Sequence, residues 1–150
     1  MIVNILYAVA QNQLFCVDVR YIKKLILLPE LVPWSGAPND VAGVLNYGGK
    51  IIPVFDLALL MNVARLNPYT IETIVMICTN EKDEIGLIVD SVRGQDSISD
   101  DVLNADNKIK GDNTYLQSII TLNNTVIMAP AINKIISREI NLESRDKHYE

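Results

Sequence analysis

The sequence predicts an all-β protein in which one chain of 150 residues forms two small barrels. Short runs rich in Val, Ile, Leu and Tyr recur along the chain, and clusters of Gly, Asn, Pro and Asp separate them, which is typical of strands joined by turns. Helix signals are few. Hydrophobic residues make up 49% of the chain, which is enough for a core that needs no disulfide or metal.

The hydrophobic runs give nine predicted strands, and two dipeptides give predicted tight turns. Gly48 and Gly49 predict a type I′ hairpin, because that turn needs positive φ at two adjacent residues. Asn123 and Asn124 predict a second tight turn, since Asn tolerates left-handed geometry better than most residues. The predicted strands cover residues 2–10, 13–19, 21–28, 44–47, 50–55, 71–79, 84–92, 115–122 and 125–128.

Helices are expected at only two places. Asp56 is suited to cap a short helix over residues 57–61, and residues 131–137 predict a last helix or half-helix. Residues 97–114 are polar and predict a loop-rich connection, and residues 139–150 form a polar C-terminal tail that is expected to fray.

One arrangement of elements occurs twice. A strand, a turn, a strand and a short helical cap follow one another in residues 44–57 and again in residues 120–132. Two such units indicate two similar barrels, and closing short strands into barrels removes exposed sheet edges.

Charge and composition argue against several classes of partner. The net charge of −5 disfavours nucleic acid and anionic membranes, and no run of about 18 apolar residues is present to cross a bilayer. The start of the chain lacks a basic region before an apolar one, so the cytoplasm is the expected compartment. Cys16 and Cys78 lie in apolar runs and are interpreted as buried reduced thiols, although a disulfide between them stays open. No cofactor and no metal is expected.

Groups suited to catalysis are scarce. The single histidine, His148, lies in the charged tail, where nothing would hold a general base in place. Asp56 and Asp90 each follow an apolar strand run and form a candidate carboxylate pair, but a helix cap and a turn residue are the favoured interpretations. The sequence therefore predicts a binding module and not an enzyme.

Three segments, taken in order, resemble the CheW family, which includes the regulatory domain of the CheA histidine kinase. Residues 43–57 read GVLNYGGKIIPVFDL, and residues 86–94 read GLIVDSVRG. Residues 115–128 match the closing hairpin of the family in hydrophobic pattern only. The likeness covers roughly residues 10–138.

This resemblance implies a CheW-like domain over residues 1–138, made of two intertwined SH3-like five-stranded β-barrels with short helices, one of them near the C-terminus. It also implies a chemotaxis adaptor that couples a CheA-type histidine kinase to chemoreceptors. The expected partners are the regulatory domain of the kinase and the cytoplasmic tip of a receptor, with no nucleic acid and no membrane insertion.

Six positions are candidates for partner contact on the strength of this resemblance. Two depart from the family pattern, since Gly48 stands where the family has an arginine and Lys24 aligns with an acidic residue that can pair with it. Each also has a purely structural interpretation, as a core, turn, cap or solvated residue. The candidates are Ile22, Lys24, Val44, Asn46, Gly48 and Asp56.

Two other functions remain open from the residues alone. One is a small-ligand-binding or other signalling β-barrel module outside chemotaxis. The other is an enzyme that uses the carboxylates of Asp56 and Asp90.

Overall fold

A computed structural model describes residues 1–104 and 113–138, which form ten strands in two five-stranded sheets. The first sheet has the order β8-β1-β2-β10-β9 and the second the order β3-β6-β7-β5-β4. The strands are β1 (Ile2–Ala10), β2 (Gln13–Asp18), β3 (Ile22–Leu27), β4 (Val41–Tyr47), β5 (Lys50–Asp56), β6 (Ile74–Thr79), β7 (Glu84–Val89), β8 (Ser91–Ser99), β9 (Leu116–Leu122) and β10 (Thr125–Pro130).

The chain passes from the first sheet into the second and back again. It leaves through a 3₁₀ turn at Val19–Tyr21 and returns at β8, so strands from both ends of the chain build the first sheet. Each sheet contains one parallel pair, β2 with β10 and β5 with β7, while its other pairs are antiparallel. The predicted all-β class with two five-stranded units is confirmed.

Both predicted tight turns are confirmed by their backbone geometry. Gly48 and Gly49 have φ of 57° and 85°, and Asn123 and Asn124 have φ of 50° and 63°. In each case the two residues join strands whose flanking residues pair directly across the hairpin, as a type I′ turn requires.

Within residues 1–104 and 113–138 the strands are accompanied by three short helices: α1 (Leu57–Leu60), α2 (Asp100–Leu103) and α3 (Ile132–Ile136). The cap predicted for the first is confirmed, because the side chain of Asp56 accepts a hydrogen bond from the backbone N–H of Leu59 at 3.3 Å.

The prediction of a loop-rich connection over residues 97–114 is wrong at its start. Residues 97–99 belong to β8 and residues 100–103 to α2. Strand β8 is polar because it lies at the edge of its sheet with much of its length exposed, so its pairing comes from the backbone of β1 and leaves no hydrophobic pattern in the sequence. The rest of that connection over residues 105–112, and the predicted tail over 139–150, lie outside the described residues.

The largest hydrophobic cluster lies between the two sheets and draws on both. Phe15 and Val17 of β2 belong to it together with Phe55, Met76 and Leu87 of the second sheet. Each sheet also encloses a smaller cluster of its own. The two sheets are therefore packed as one unit, since separating them would expose buried apolar surface to water.

Gly86 marks a place where two strands pack too closely for a side chain. A Cβ atom at this position would lie 2.8 Å from Cγ1 of Val75 and 3.1 Å from Cγ2 of Val54. Such distances are shorter than van der Waals contact, so any larger residue here would force the side chain of Val75 or Val54 to move.

Candidate functional site

Five residues on the outer side of the second sheet form a patch that we call the β4–β5 face. Directly opposed residues of paired strands share a face of the sheet, and the register pairs Val44 with Pro53, Asn46 with Ile51, and Val32 with Val44. Val32 and Ile51 are 59% and 65% exposed, so the face presents two large apolar side chains to solvent side by side with Val44 and Pro53. The face consists of Val32, Val44, Asn46, Ile51 and Pro53.

The backbone of β4 adds polar groups beside this face. Val44 exchanges two hydrogen bonds of 2.9 Å with Val32, so its N–H and C=O point away from β5. The direction of these groups alternates from one residue of a strand to the next. Those of Asn46, two residues after Val44, therefore point the same way. Among the described residues the pairing on this side of β4 is an isolated bridge at Val32, so the edge beyond it offers a donor and an acceptor to a partner.

Gly48 lies at the tip of the hairpin next to the face. It is exposed, and a Cβ atom at this position would meet no atom within 4 Å. The structure thus brings three of the six candidates, Val44, Asn46 and Gly48, onto one strand and its turn.

Two further candidates lie on β3, at the opposite edge of the same sheet. Ile22 is half-buried and packs against the large cluster between the sheets, whereas Lys24 is exposed. They are therefore separate from the β4–β5 face in the order of the strands, and Lys24 is the one whose side chain is open to solvent.

The sixth candidate, Asp56, is fully buried and bonded to its own chain. Its carboxylate accepts hydrogen bonds from Nε and Nη2 of Arg65 and, at 2.7 Å, from the hydroxyl of Tyr69. Burial, together with the bond to Asp56, raises the pKa of Tyr69 above its ordinary value, so the hydroxyl stays protonated and donates. Asp56 is thus placed to support the structure around it.

Asp90 belongs to the same network and connects the two sheets. Its Oδ1 lies 3.3 Å from Nη1 of Arg65, and its Oδ2 accepts from the backbone and side-chain nitrogens of Gln11 at 2.7 and 3.1 Å. Gln11 lies in the turn between β1 and β2 of the first sheet, whereas Arg65 lies in the connection between α1 and β6 of the second. We call this group the polar junction: Gln11, Asp56, Arg65, Tyr69 and Asp90.

The polar junction also holds the connection that carries Arg65. The side-chain oxygen of Gln11 accepts hydrogen bonds from the backbone N–H groups of Leu66 and Asn67 at 2.7 and 3.1 Å. Asp56 therefore accepts from an arginine and a tyrosine, and Asp90 accepts from the same arginine and from a glutamine, so both carboxylates are engaged in holding the junction together.

Sequence reasoning identified both aspartates but missed Arg65 and Gln11. Arg65 lies in a polar stretch without a motif, 9 residues after Asp56 and 25 before Asp90. The one available signal was indirect: a buried aspartate after an apolar strand requires a cation or several donors.

The two cysteines lie in different hydrophobic clusters and are free thiols, so they do not form a disulfide with each other. Burial raises the pKa of both Cys16 and Cys78 to about 12. Within the described residues, no group of three or more His, Cys, Asp or Glu side chains is arranged to hold a metal ion. The helices of this same part of the chain include none with the length and apolar character to cross a membrane.

Comparison with known proteins points to one family. A family model described as the CheW-like domain matches residues 4–139. A chemotaxis protein CheW of Thermotoga maritima is 27% identical over 125 residues, covering 83% of this chain and 82% of the relative. A chemotaxis protein CheW of Rhizobium meliloti is 21% identical over 130 residues, covering 85% and 83%.

A solved structure shows the same fold. The crystal structure of the scaffolding protein TtCheW from Thermoanaerobacter tengcongensis superposes with a TM-score of 0.79 at 20% identity, covering 94% of this chain and 90% of that one.

Proposed function

This chain belongs to the CheW-like domain family, and from that premise we propose that it is a chemotaxis adaptor that couples a CheA-type histidine kinase to chemoreceptors by protein–protein binding. The family match over residues 4–139 and the relatives named chemotaxis protein CheW support this function over a ligand-binding barrel outside chemotaxis. The structurally similar TtCheW is described as a scaffolding protein, and the occupied carboxylates of the polar junction suit a structural role.

The observation that carries the proposal is the β4–β5 face. It combines exposed apolar side chains with an open strand edge, and apolar patches of this kind commonly mark protein interfaces. Docking another protein there would remove Val32 and Ile51 from water and satisfy the backbone groups of Asn46. The adaptor would act by equilibrium bridging, in which binding one partner changes the relative affinity for the other.

The six candidate residues take different parts in this proposal. Val44, Asn46 and Gly48 contact a partner at the β4–β5 face or beside it, while Ile22 and Lys24 contribute from β3. Asp56 supports the contact surface from within. The regulatory domain of the kinase and the cytoplasmic tip of the receptor are the proposed partners, and residues 1–138 are the proposed functional unit.

A charge placed on the β4–β5 face tests this function. Ile51→Asp introduces a carboxylate where the face would be desolvated, and we expect its affinity for the regulatory domain of the kinase to fall at least about tenfold. Ile2→Asp is a matched control, since Ile2 is 67% exposed on a strand of the other sheet. Isothermal titration with each purified variant measures the effect, and a thermal melt verifies that both variants fold.

Two results would contradict the proposal. If the unaltered protein binds neither the kinase domain nor a receptor tip, the adaptor function is wrong. If it binds and Ile51→Asp binds equally well, the function stands but the β4–β5 face is not the contact surface.

A further inference from the structure

Four residues at one end of the second sheet form a cluster that we call the hairpin clasp. Glu84 begins β7 and Lys50 begins β5, and because these strands run parallel, their first residues lie at the same end. Lys23 lies near the start of β3, and Tyr47 ends β4 at the hairpin turn. The clasp consists of Lys23, Tyr47, Lys50 and Glu84.

Glu84 is the centre of this cluster. Its Oε1 accepts a hydrogen bond from Nζ of Lys23, and its Oε2 lies 3.9 Å from Nζ of Lys50. The ammonium of Lys23 also lies over the ring of Tyr47, 5.5 Å from its centroid, within range of a cation–π contact. The side chain of Glu84 is only 8% exposed, whereas those of Lys23 and Lys50 are 47% and 68% exposed, so solvent screens these contacts from the lysine side.

The contacts join two strands that the backbone leaves apart. Strands β3 and β4 are the two edges of their sheet, and no backbone ladder joins them among the described residues. At this end the sheet is therefore closed by side chains, with Lys23 on one edge strand reaching both Tyr47 on the other and Glu84 between them.

We propose that Glu84 is a positioning residue that fixes the β4–β5 hairpin, and with it the docking surface, by holding Lys23 against Tyr47. The hairpin turn is formed by two glycines, and even a Cβ atom added there would meet no atom within 4 Å, so no side-chain packing holds its tip. The backbone ladder joins β4 to β5, and the contacts of the clasp add a link from this hairpin to β3. The idea rests on the proposed function for its effect on binding, but the effect on the hairpin stands on the structure alone.

The two carboxylate oxygens of Glu84 differ in their hydrogen bonding. Its Oε2 is buried and has no hydrogen-bond partner among the described residues, with Lys50 near but beyond hydrogen-bonding distance. A buried acceptor without a donor is unfavourable, so the strong bond from Lys23 is the one that retains the side chain in place. Removing the charge of Glu84 should release Lys23 and loosen the hairpin without opening the core.

The experiment compares Glu84→Gln with Glu81→Gln, an amide replacement of an exposed carboxylate in the same β6–β7 turn. Amide hydrogen exchange, resolved by NMR, reports the hairpin separately from the core. In Glu84→Gln we expect exchange at Tyr47 and Lys50, which pair across the hairpin, to rise about tenfold through local opening, while exchange in the core strands and in Glu81→Gln stays at the original rate. Lys23→Arg should preserve protection, because a guanidinium also donates to a carboxylate and stacks on an aromatic ring.

Binding to the regulatory domain of the kinase provides the second readout. We expect Glu84→Gln to weaken it about fivefold, since a looser hairpin must be ordered on binding. Unchanged hairpin exchange in Glu84→Gln would overturn the clasp, and faster exchange with unchanged affinity would overturn its positioning role. If the unaltered protein does not bind, the proposed function fails, but the exchange data still decide whether the clasp exists.

Discussion

The polar junction predicts a large and specific loss of stability when its arginine is removed. The side chains of Arg65 and Asp56 are only 12% and 1% exposed. In Arg65→Met the carboxylate of Asp56 stays buried with two weaker partners, the hydroxyl of Tyr69 and the N–H of Leu59. Leaving one member of a buried ion pair without the other costs about 3 to 5 kcal/mol, and the two remaining bonds place this case at the lower end, about 3 kcal/mol.

A second substitution should restore much of this loss. In the double variant Arg65→Met with Asp56→Asn, the buried charge is gone, the amide oxygen can still accept from the N–H of Leu59 and cap α1, and the amide nitrogen can donate to the hydroxyl of Tyr69. Because most of the cost is the buried lone charge, we expect the double variant to recover at least about half of the lost free energy of unfolding.

Urea denaturation followed by circular dichroism measures both variants. A loss of about 3 kcal/mol corresponds to a fall in melting temperature of about 6 to 12 °C for a chain of this length. Arg93→Met, on the exposed part of β8, is the matched control and should change stability by less than about 0.5 kcal/mol. The reasoning is refuted if Arg65→Met costs less than about 1 kcal/mol, or if the double variant is less stable than the single one.

Three further predictions follow from packing and charge. Gly86→Ala should destabilise the fold by about 1 to 3 kcal/mol in the same urea assay, because its Cβ has no room; unchanged stability would show that β6 yields easily. Cys16 and Cys78, with pKa raised to about 12 by burial, should react with a thiol reagent at pH 8 only after unfolding; rapid labelling of the folded protein would contradict their burial. The hydrogen bond from Lys23 lowers the pKa of Glu84, so this group adds stability above the ordinary glutamate pKa of 4.5, and that contribution is lost as the pH falls through the lower folded value. As the pH is lowered from 6 to 3, the melting temperature should therefore fall less in Glu84→Gln than in the unaltered protein. Equal dependence of the melting temperature on pH in the two proteins would count against the ion pair of Glu84 and Lys23.

Local pattern was sufficient for most of the strands and for the turns that join them. β1 matches its predicted residues 2–10, and the two-glycine and two-asparagine turns adopt the positive φ that their composition requires. Asp56 caps α1 as expected. These features depend on residues close in sequence, where side-chain period and backbone preference act directly.

The sequence predicted only part of the candidate site. Val44, Asn46 and Gly48 came from the family resemblance, and the structure brings them together, but their role in binding stays a prediction. Val32 and Ile51 were missed, because an exposed apolar residue in a strand-rich sequence looks the same as a buried one until the register is known.

The sequence by itself determined the strand-rich class, the tight turns and the family resemblance, since each is encoded by neighbouring residues. Only the tertiary structure decided that polar β8 is a strand, that Arg65 joins Asp56 to Asp90, and that Glu84 holds Lys23 61 residues away. The physical reason is that the sequence around a charged or polar side chain does not specify which distant group it will contact. Its partner is selected by burial and by which strands the fold places side by side, and both arise only when distant segments meet.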